Sequence, residues 1–150
     1  MVFCACATSA PNPEQPPASV PATSPASLYD RLGGLPAIHA VIEDMVANIA
    51  GDERINARFA NADIPKLKQS LVDQVCQATG GPCVYKGKDM KTAHQHMNLT
   101  NADFDALVDD LQKSLNKFKV GALEQSQLLG ALGPMRPQIV NNGAAAAASK

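Results

Sequence analysis

Residues 33–51 read GGLPAIHAVIEDMVANIAG. Ile38, Val41, Ile42, Met45, Val46 and Ile49 fall at offsets 0, 3, 4, 7, 8 and 11, which is one apolar stripe on a helix of 3.6 residues per turn. Gly33-Gly34 ends whatever precedes it. Pro36 suits the first turn of the new helix, where a missing N–H costs nothing, and Gly51 marks the far end.

The same period continues on both sides. Ser27-Leu28-Tyr29-Asp30 is a capping-box pattern that opens a short helix. Residues 52–63 read as short and irregular, with Phe59 their large apolar residue. Pro65 opens a helix carrying Leu67, Leu71, Val72, Val75 and Ala78, stopped by Gly80-Gly81-Pro82. Residues 83–88, CVYKGK, are a loop, and a brief helical stretch holds Met90, Ala93, His94 and Met97. Thr100-Asn101-Ala102-Asp103 is a second capping box. After it, Phe104, Leu107, Val108, Leu111, Leu115 and Phe118 recur at 0, 3, 4, 7, 11 and 14. A last helix carries Leu123, Leu128, Leu129 and Leu132, and Gly133-Pro134 should bend or break it before Ile139 and Val140. No alternating run flanked by turns occurs, so the fold class is all-α.

Composition narrows the function. The chain has 150 residues, one domain's length, and a net charge of -1 from 13 Lys+Arg against 14 Asp+Glu. That excludes a strongly basic nucleic-acid binder and a polybasic membrane-surface protein. Two Tyr, four Phe and no Trp make a stacking platform for single strands a poor reading. The four Cys show no repeated CxxC pairing, so zinc is not indicated. Residues 7–26, ATSAPNPEQPPASVPATSPA, hold six of the eleven prolines and read as a mobile spacer. The organisation is then a disordered lead over residues 1–27, a folded unit over 28–140, and a tail over 141–150. Cys6 follows Ala5 and precedes the spacer, as in the acylated cysteine of a bacterial lipoprotein. That places the protein in the bacterial periplasm or on a membrane through a lipid anchor. The alternative is two incidental cysteines, Cys4 and Cys6, and a cytoplasmic protein.

Of the three histidines, only His94 shares a helix face with large apolar neighbours, Met90 and Met97. His96 lies about 200° further round and should face solvent, as should His39, outside the stripe of its own helix. A lone core histidine has two readings. One is an imidazole satisfied by a backbone carbonyl. The other is an iron ligand, since haem needs one imidazole at the metal and apolar side chains on both ring faces.

The combination of LYDRLGG, AI…VIEDM, ATGGP, Tyr85-x-Gly87, Met90-Lys91-x-x-His94 and Leu99-Thr100 resembles the truncated (two-over-two) haemoglobins of the first group, over residues 28–140. The resemblance implies a two-over-two helical sandwich around haem b, with His94 as the iron ligand. It puts Phe59 on the porphyrin and Leu67 and Leu71 toward the sixth coordination site. Met90, Met97, Leu99, Phe104 and Leu107 fall on proximal or rim positions. With no CxxCH present, the haem is held by His94 and packing alone. The implied partners are a diatomic gas and an unidentified reductase.

Departures fall where ligand chemistry is decided. Val46 and Leu71 stand where oxygen-retaining members carry Tyr and Gln, and Met45 replaces a usual Phe. With Leu67, the ligand pocket is expected to be apolar and without a donor. That favours a reversible gas binder over a haem enzyme such as a nitric-oxide dioxygenase or peroxidase. Ser70 replaces the basic residue that meets a haem propionate, leaving Lys66, Lys68 or Tyr85 to serve. Cys76 and Cys83 flank the Gly-Gly turn seven positions apart, close enough for a disulfide, and an oxidising compartment would favour that bond.

Overall fold

The computed structural model describes residues 25–141, so Cys6, the proline-rich lead before residue 25 and the tail after residue 141 lie outside the described residues. Eight α-helices follow in order: α1 Leu28–Leu32, α2 Gly34–Gly51, α3 Asn56–Phe59, α4 Ile64–Ala78, α5 Met90–His94, α6 Asn101–Lys117, α7 Ala122–Leu132 and α8 Arg136–Ile139. A single 3₁₀ turn, Gly133–Met135, joins the last two. The described residues contain no strand, and no described helix is long and apolar enough to cross a membrane.

The termini of the helices are set by local chemistry. Ser27 and Thr100 each close a reciprocal capping box, with Asp30 and Asp103 respectively. Asp63 caps α4 through the Lys66 N–H, with a proline in the first turn. Gly33 sits in the left-handed region (φ 101°), where it ends α1 and starts α2 within one residue.

Helix α2 is the spine. Its six stripe residues are all buried, and it packs on α4 at one side and α6 at the other. Ile42, Ile55, Val72, Leu115 and Leu128 are the largest apolar side chains with no exposure to speak of, each contributing roughly 1.5–3 kcal/mol by leaving water. Polar groups also fasten α2 to α6. The Ser114 hydroxyl, fully buried, donates to Asp44 at 2.9 Å and accepts from the Asn48 amide at 3.0 Å. Lys117 pairs with the other Asp44 oxygen.

Several expectations from periodicity need correction. Phe118 and Leu123 continue their stripes on paper, but they are 44% and 61% exposed. The helix stops at Lys117, so Phe118 turns outward at its cap, and Leu123 lies in the first turn of α7, before that helix reaches the core. Ala78 is exposed and the buried residue at that end of the stripe is Thr79, one position on, while Cys76, four residues beyond Val72, is wholly buried. Residues 52–63 contain α3, and the buried side chain there is Ile55, with Phe59 only half-buried. Helix α5 ends at His94, so Met97 follows in a turn before Asn98 adopts φ 49°. The expected interruption at Gly133-Pro134 is present: the chain tightens there into the 3₁₀ turn and α8 follows it.

Cys76 and Cys83 form a disulfide with Cα atoms 5.7 Å apart, tying the end of α4 to the loop leading to α5. The turn between them is tightly filled. A Cβ on Gly81 would come 2.5 Å from the Tyr29 ring and 2.6 Å from the Cys76 sulfur. The Tyr29 hydroxyl in turn accepts the Leu35 N–H at 3.0 Å, so α1, the Gly-Gly turn and the start of α2 share one contact.

Replacing Cys83→Ser should lower stability by about 2–3 kcal/mol on the chain-entropy account of closing so short a loop, read as a lower urea midpoint than the oxidised wild type. A second expected outcome concerns acid. The Lys117 ammonium bond, opposed by partial burial and reinforced by Ser114, holds the Asp44 carboxyl below its ordinary value of 3.8. A depressed folded pKa stabilises above the unfolded value and is lost as pH falls through the folded one. Asp44→Asn should therefore destabilise at pH 7 and narrow the gap to the wild type below about pH 4, measured as urea midpoint against pH.

Candidate functional site

Between α4, α5 and α6 lies a cavity of about 320 Å³, a volume typical of small-molecule and cofactor pockets. Its walls come from every major element: Met45 from α2, Phe59 from α3, Leu67, Ser70, Leu71 and Gln74 from α4, His94 from α5, and Phe104, Leu107 and Leu111 from α6. Met90, Met97, Leu99, Tyr85 and Met135 also line it, as do Arg58 and Asp103. Thus the residues expected to form one site, Phe59, Leu67, Leu71, Tyr85, Met90, His94, Met97, Leu99, Phe104 and Leu107, do line one cavity.

Val46 does not. It faces a neighbouring apolar cavity with Ile49, Ala50, Ile64, Phe59 and Leu67. One helix position is a rotation of about 100°, and the stripe of α2 is wide enough that Met45, not Val46, looks into the larger space. The pocket is not donor-free either. Gln74, one turn beyond Leu71 on the same face of α4, brings an amide whose nitrogen donates to the Met135 and Met90 sulfurs at 2.9 and 3.3 Å. Ser70 adds a hydroxyl to the lining. Gln74 was missed because a polar residue within an otherwise exposed-looking run gives no periodic signal of its own. The spacing 67, 70/71, 74 would have found it.

The geometry at His94 is specific. Its Nδ1 lies 2.7 Å from the Met90 carbonyl oxygen. In the neutral ring that bond places the proton on Nδ1 and leaves the lone pair on Nε2, which has no hydrogen-bond partner among the described residues. His96 is exposed, and so is His39. The Asp89 side chain caps α5 by accepting the Thr92 N–H at 2.9 Å. Asn141 donates from its amide to the His94 carbonyl at 2.7 Å, and its own N–H donates to the Leu99 carbonyl at 3.1 Å. Helix α8 packs on α5 and adds Ile139 to the lining.

At the edge of the cavity, burial, then the charge on Asp89, raises the Tyr85 phenol above its ordinary value. Its hydroxyl donates to the Lys88 carbonyl at 2.9 Å. Burial pushes the Asp103 carboxyl up, but the Thr100 N–H and hydroxyl and the Arg58 guanidinium outweigh it, so the pKa lies below the ordinary carboxylate value. Lys68, an expected carboxylate partner, instead pairs with Glu43 at 2.5 Å, and Lys66 is exposed and outside the lining.

The family model for bacterial-like globins matches residues 27–141. A group 1 truncated haemoglobin of Mycolicibacterium paratuberculosis is 33% identical over 120 residues, covering 80% of this chain and 88% of that protein. The chain is a group 1 truncated haemoglobin of the bacterial-like globin family. The ferric truncated haemoglobin of Tetrahymena pyriformis superposes on this globin with a TM-score of 0.75 at 29% identity, covering 77% of this chain and 99% of the other. A Synechococcus 2/2 haemoglobin, crystallised in the cyanomet state with covalently attached haem, gives 0.73 at 32% identity over the same shares.

Haem is the cofactor that membership of this family implies, and the cavity of the globin fits it. The walls are apolar on both sides of His94, and the imidazole offers one uncommitted nitrogen. Its other nitrogen is held by a carbonyl, as ligating histidines usually are. His94→Ala should abolish stoichiometric haem uptake, followed as growth of the Soret band on titration, while His96→Ala should take up haem like the wild type. Loss in His96→Ala instead would mean that the short helix is rotated from the placement described.

Proposed function

We propose that this globin binds haem b through His94 and takes a diatomic gas reversibly, serving oxygen binding, transport or sensing. The observation that carries it is the 2.7 Å bond from Nδ1 of His94 to the Met90 carbonyl within an apolar cavity. The bond orients the ring and makes Nε2 a better donor to a metal. Haem supplies the iron that binds the gas. The protein supplies orientation and the exclusion of water, and an unidentified reductase would keep the metal reduced.

Pocket polarity sets the preference among gases. Dioxygen gains from a hydrogen bond to its outer atom, while carbon monoxide, being less polar, gains less. Such a bond is worth about 1.5–3 kcal/mol, or roughly ten- to a hundredfold in an equilibrium. Leu67, Leu71 and Met45 offer no donor, and the Gln74 amide nitrogen is already turned to two thioethers. The wild type should accordingly release oxygen roughly ten- to a hundredfold faster than Leu71→Gln, measured by stopped flow. Equal rates would mean that Gln74 or Ser70 already serves the ligand, and Gln74→Leu and Ser70→Ala would tell which.

A haem-enzyme reading has one observation in its favour: Gln74 holds an amide in the cavity with only weak sulfur acceptors. Nitrate yield from the reduced protein with oxygen and nitric oxide, in the presence of a reductant, tests it.

A further inference from the structure

We propose that Arg58, on the short helix α3, is the residue that recognises the carboxylate groups of the cofactor. The proposal rests on the haem-binding reading above. Haem b carries two propionates, anionic at neutral pH, and they must end at the mouth of any cavity that takes the ring. Beyond the neutral polar groups of Ser70, Gln74, Tyr85 and His94, the charged side chains lining the cavity are Arg58 and Asp103, and the rest of the lining is apolar. Asp103 would repel a propionate. Arg58 is the permanent cation of the lining.

Its geometry suits the task. The Arg58 side chain is 37% exposed, so it stands where the cavity meets solvent. One terminal nitrogen donates to the Met97 carbonyl at 3.2 Å and the other to Asp103 Oδ2 at 3.2 Å. Those two bonds fix the guanidinium but use two of its five N–H groups. Asp103 Oδ2 is already shared by the Thr100 N–H at 2.8 Å and the Thr100 hydroxyl at 2.9 Å. The contact with Arg58 is therefore a single long bond, not a fork. The remaining donors of a planar guanidinium match a second carboxylate.

The other basic candidates do not reach. Lys68 is taken by Glu43 on α2. Lys66, Lys86, Lys88 and Lys91 are exposed and outside the lining. Tyr85 lines the cavity, but its hydroxyl donates to its own loop at Lys88.

The test compares two porphyrins in the full-length protein: ferric haem b, and its dimethyl ester, in which both propionates are neutral. Loss of each to excess apomyoglobin is followed by absorbance for the wild type, Arg58→Gln, Arg58→Lys and Lys66→Gln. Arg58→Gln should lose haem b about tenfold faster, equivalent to about 1.4 kcal/mol, and lose the ester at the wild-type rate. Arg58→Lys should fall between, because it keeps the charge and forfeits the fork, and Lys66→Gln should match the wild type. In the wild type, added salt should speed loss of haem b and spare the ester, a readout that needs no variant to fold. Equal acceleration for both porphyrins would overturn the proposal and make Arg58 a strut between Met97 and Asp103. So would an unchanged rate for haem b. Failure of the wild type to take up either porphyrin would overturn the haem-binding reading itself, and Arg58 with it.

Discussion

A helix of five residues carries His94, and no helix so short is stable alone, because nucleation costs more than one turn returns. Its position is imposed from outside. Asp89 caps its start, Asn141 holds the carbonyl at its end, and α8 packs against it. Residue 141 is far from residue 94 in sequence, so the orientation of the imidazole depends on the C-terminal segment having docked. The Met90 carbonyl then sets the tautomer. Asp89 and Asn141 lie outside the cavity lining, so taking away either would cost the ring its aim without altering the lining.

The rest of the molecule is built to leave that ring a dry space. Helix α2 packs its apolar stripe on α4 and α6 at once, and the three helices together wall the cavity, with Ile42 and Met45 of that stripe in its lining. Buried polar groups are used where packing alone would allow sliding. Ser114, Asp44 and Asn48 lock the α2–α6 register, since a slip would strand a buried hydroxyl without partners. At the opposite end, the disulfide and the close contact of Gly81 with Tyr29 fix where the chain leaves α4. That exit sets the loop bearing Tyr85, whose N–H donates to the Gln77 side chain at 2.7 Å.

The cavity carries two kinds of polar group, and the difference is in what they touch. Of those at its edge, Arg58 and Tyr85 donate to oxygen atoms, and Asp103 accepts from the Thr100 N–H and hydroxyl and from Arg58. Gln74 meets sulfur, a weak acceptor, on two sides. The edge groups maintain the frame of the site, whereas the Gln74 amide nitrogen is aimed at two thioethers.

Much of this was legible in the chain. Period and caps depend on neighbours three or four residues apart, so the six-residue stripe of α2, both capping boxes, the Gly-Gly turns and the choice of His94 over His96 and His39 followed from local order. The cavity-lining set around His94 followed from the resemblance. What local order could not supply was anything decided by a partner distant in sequence. Whether Phe118 and Leu123 are covered depends on where neighbouring helices end, and Val46 and Met45 exchange roles through the rotation of α2 against α4. Gln74 enters the cavity because Met90 and Met135 converge on it, and Arg58 lines the same space because Met97 and Asp103 hold it there. A pattern along one helix says which side is apolar. Only the packing of several helices says what that side meets.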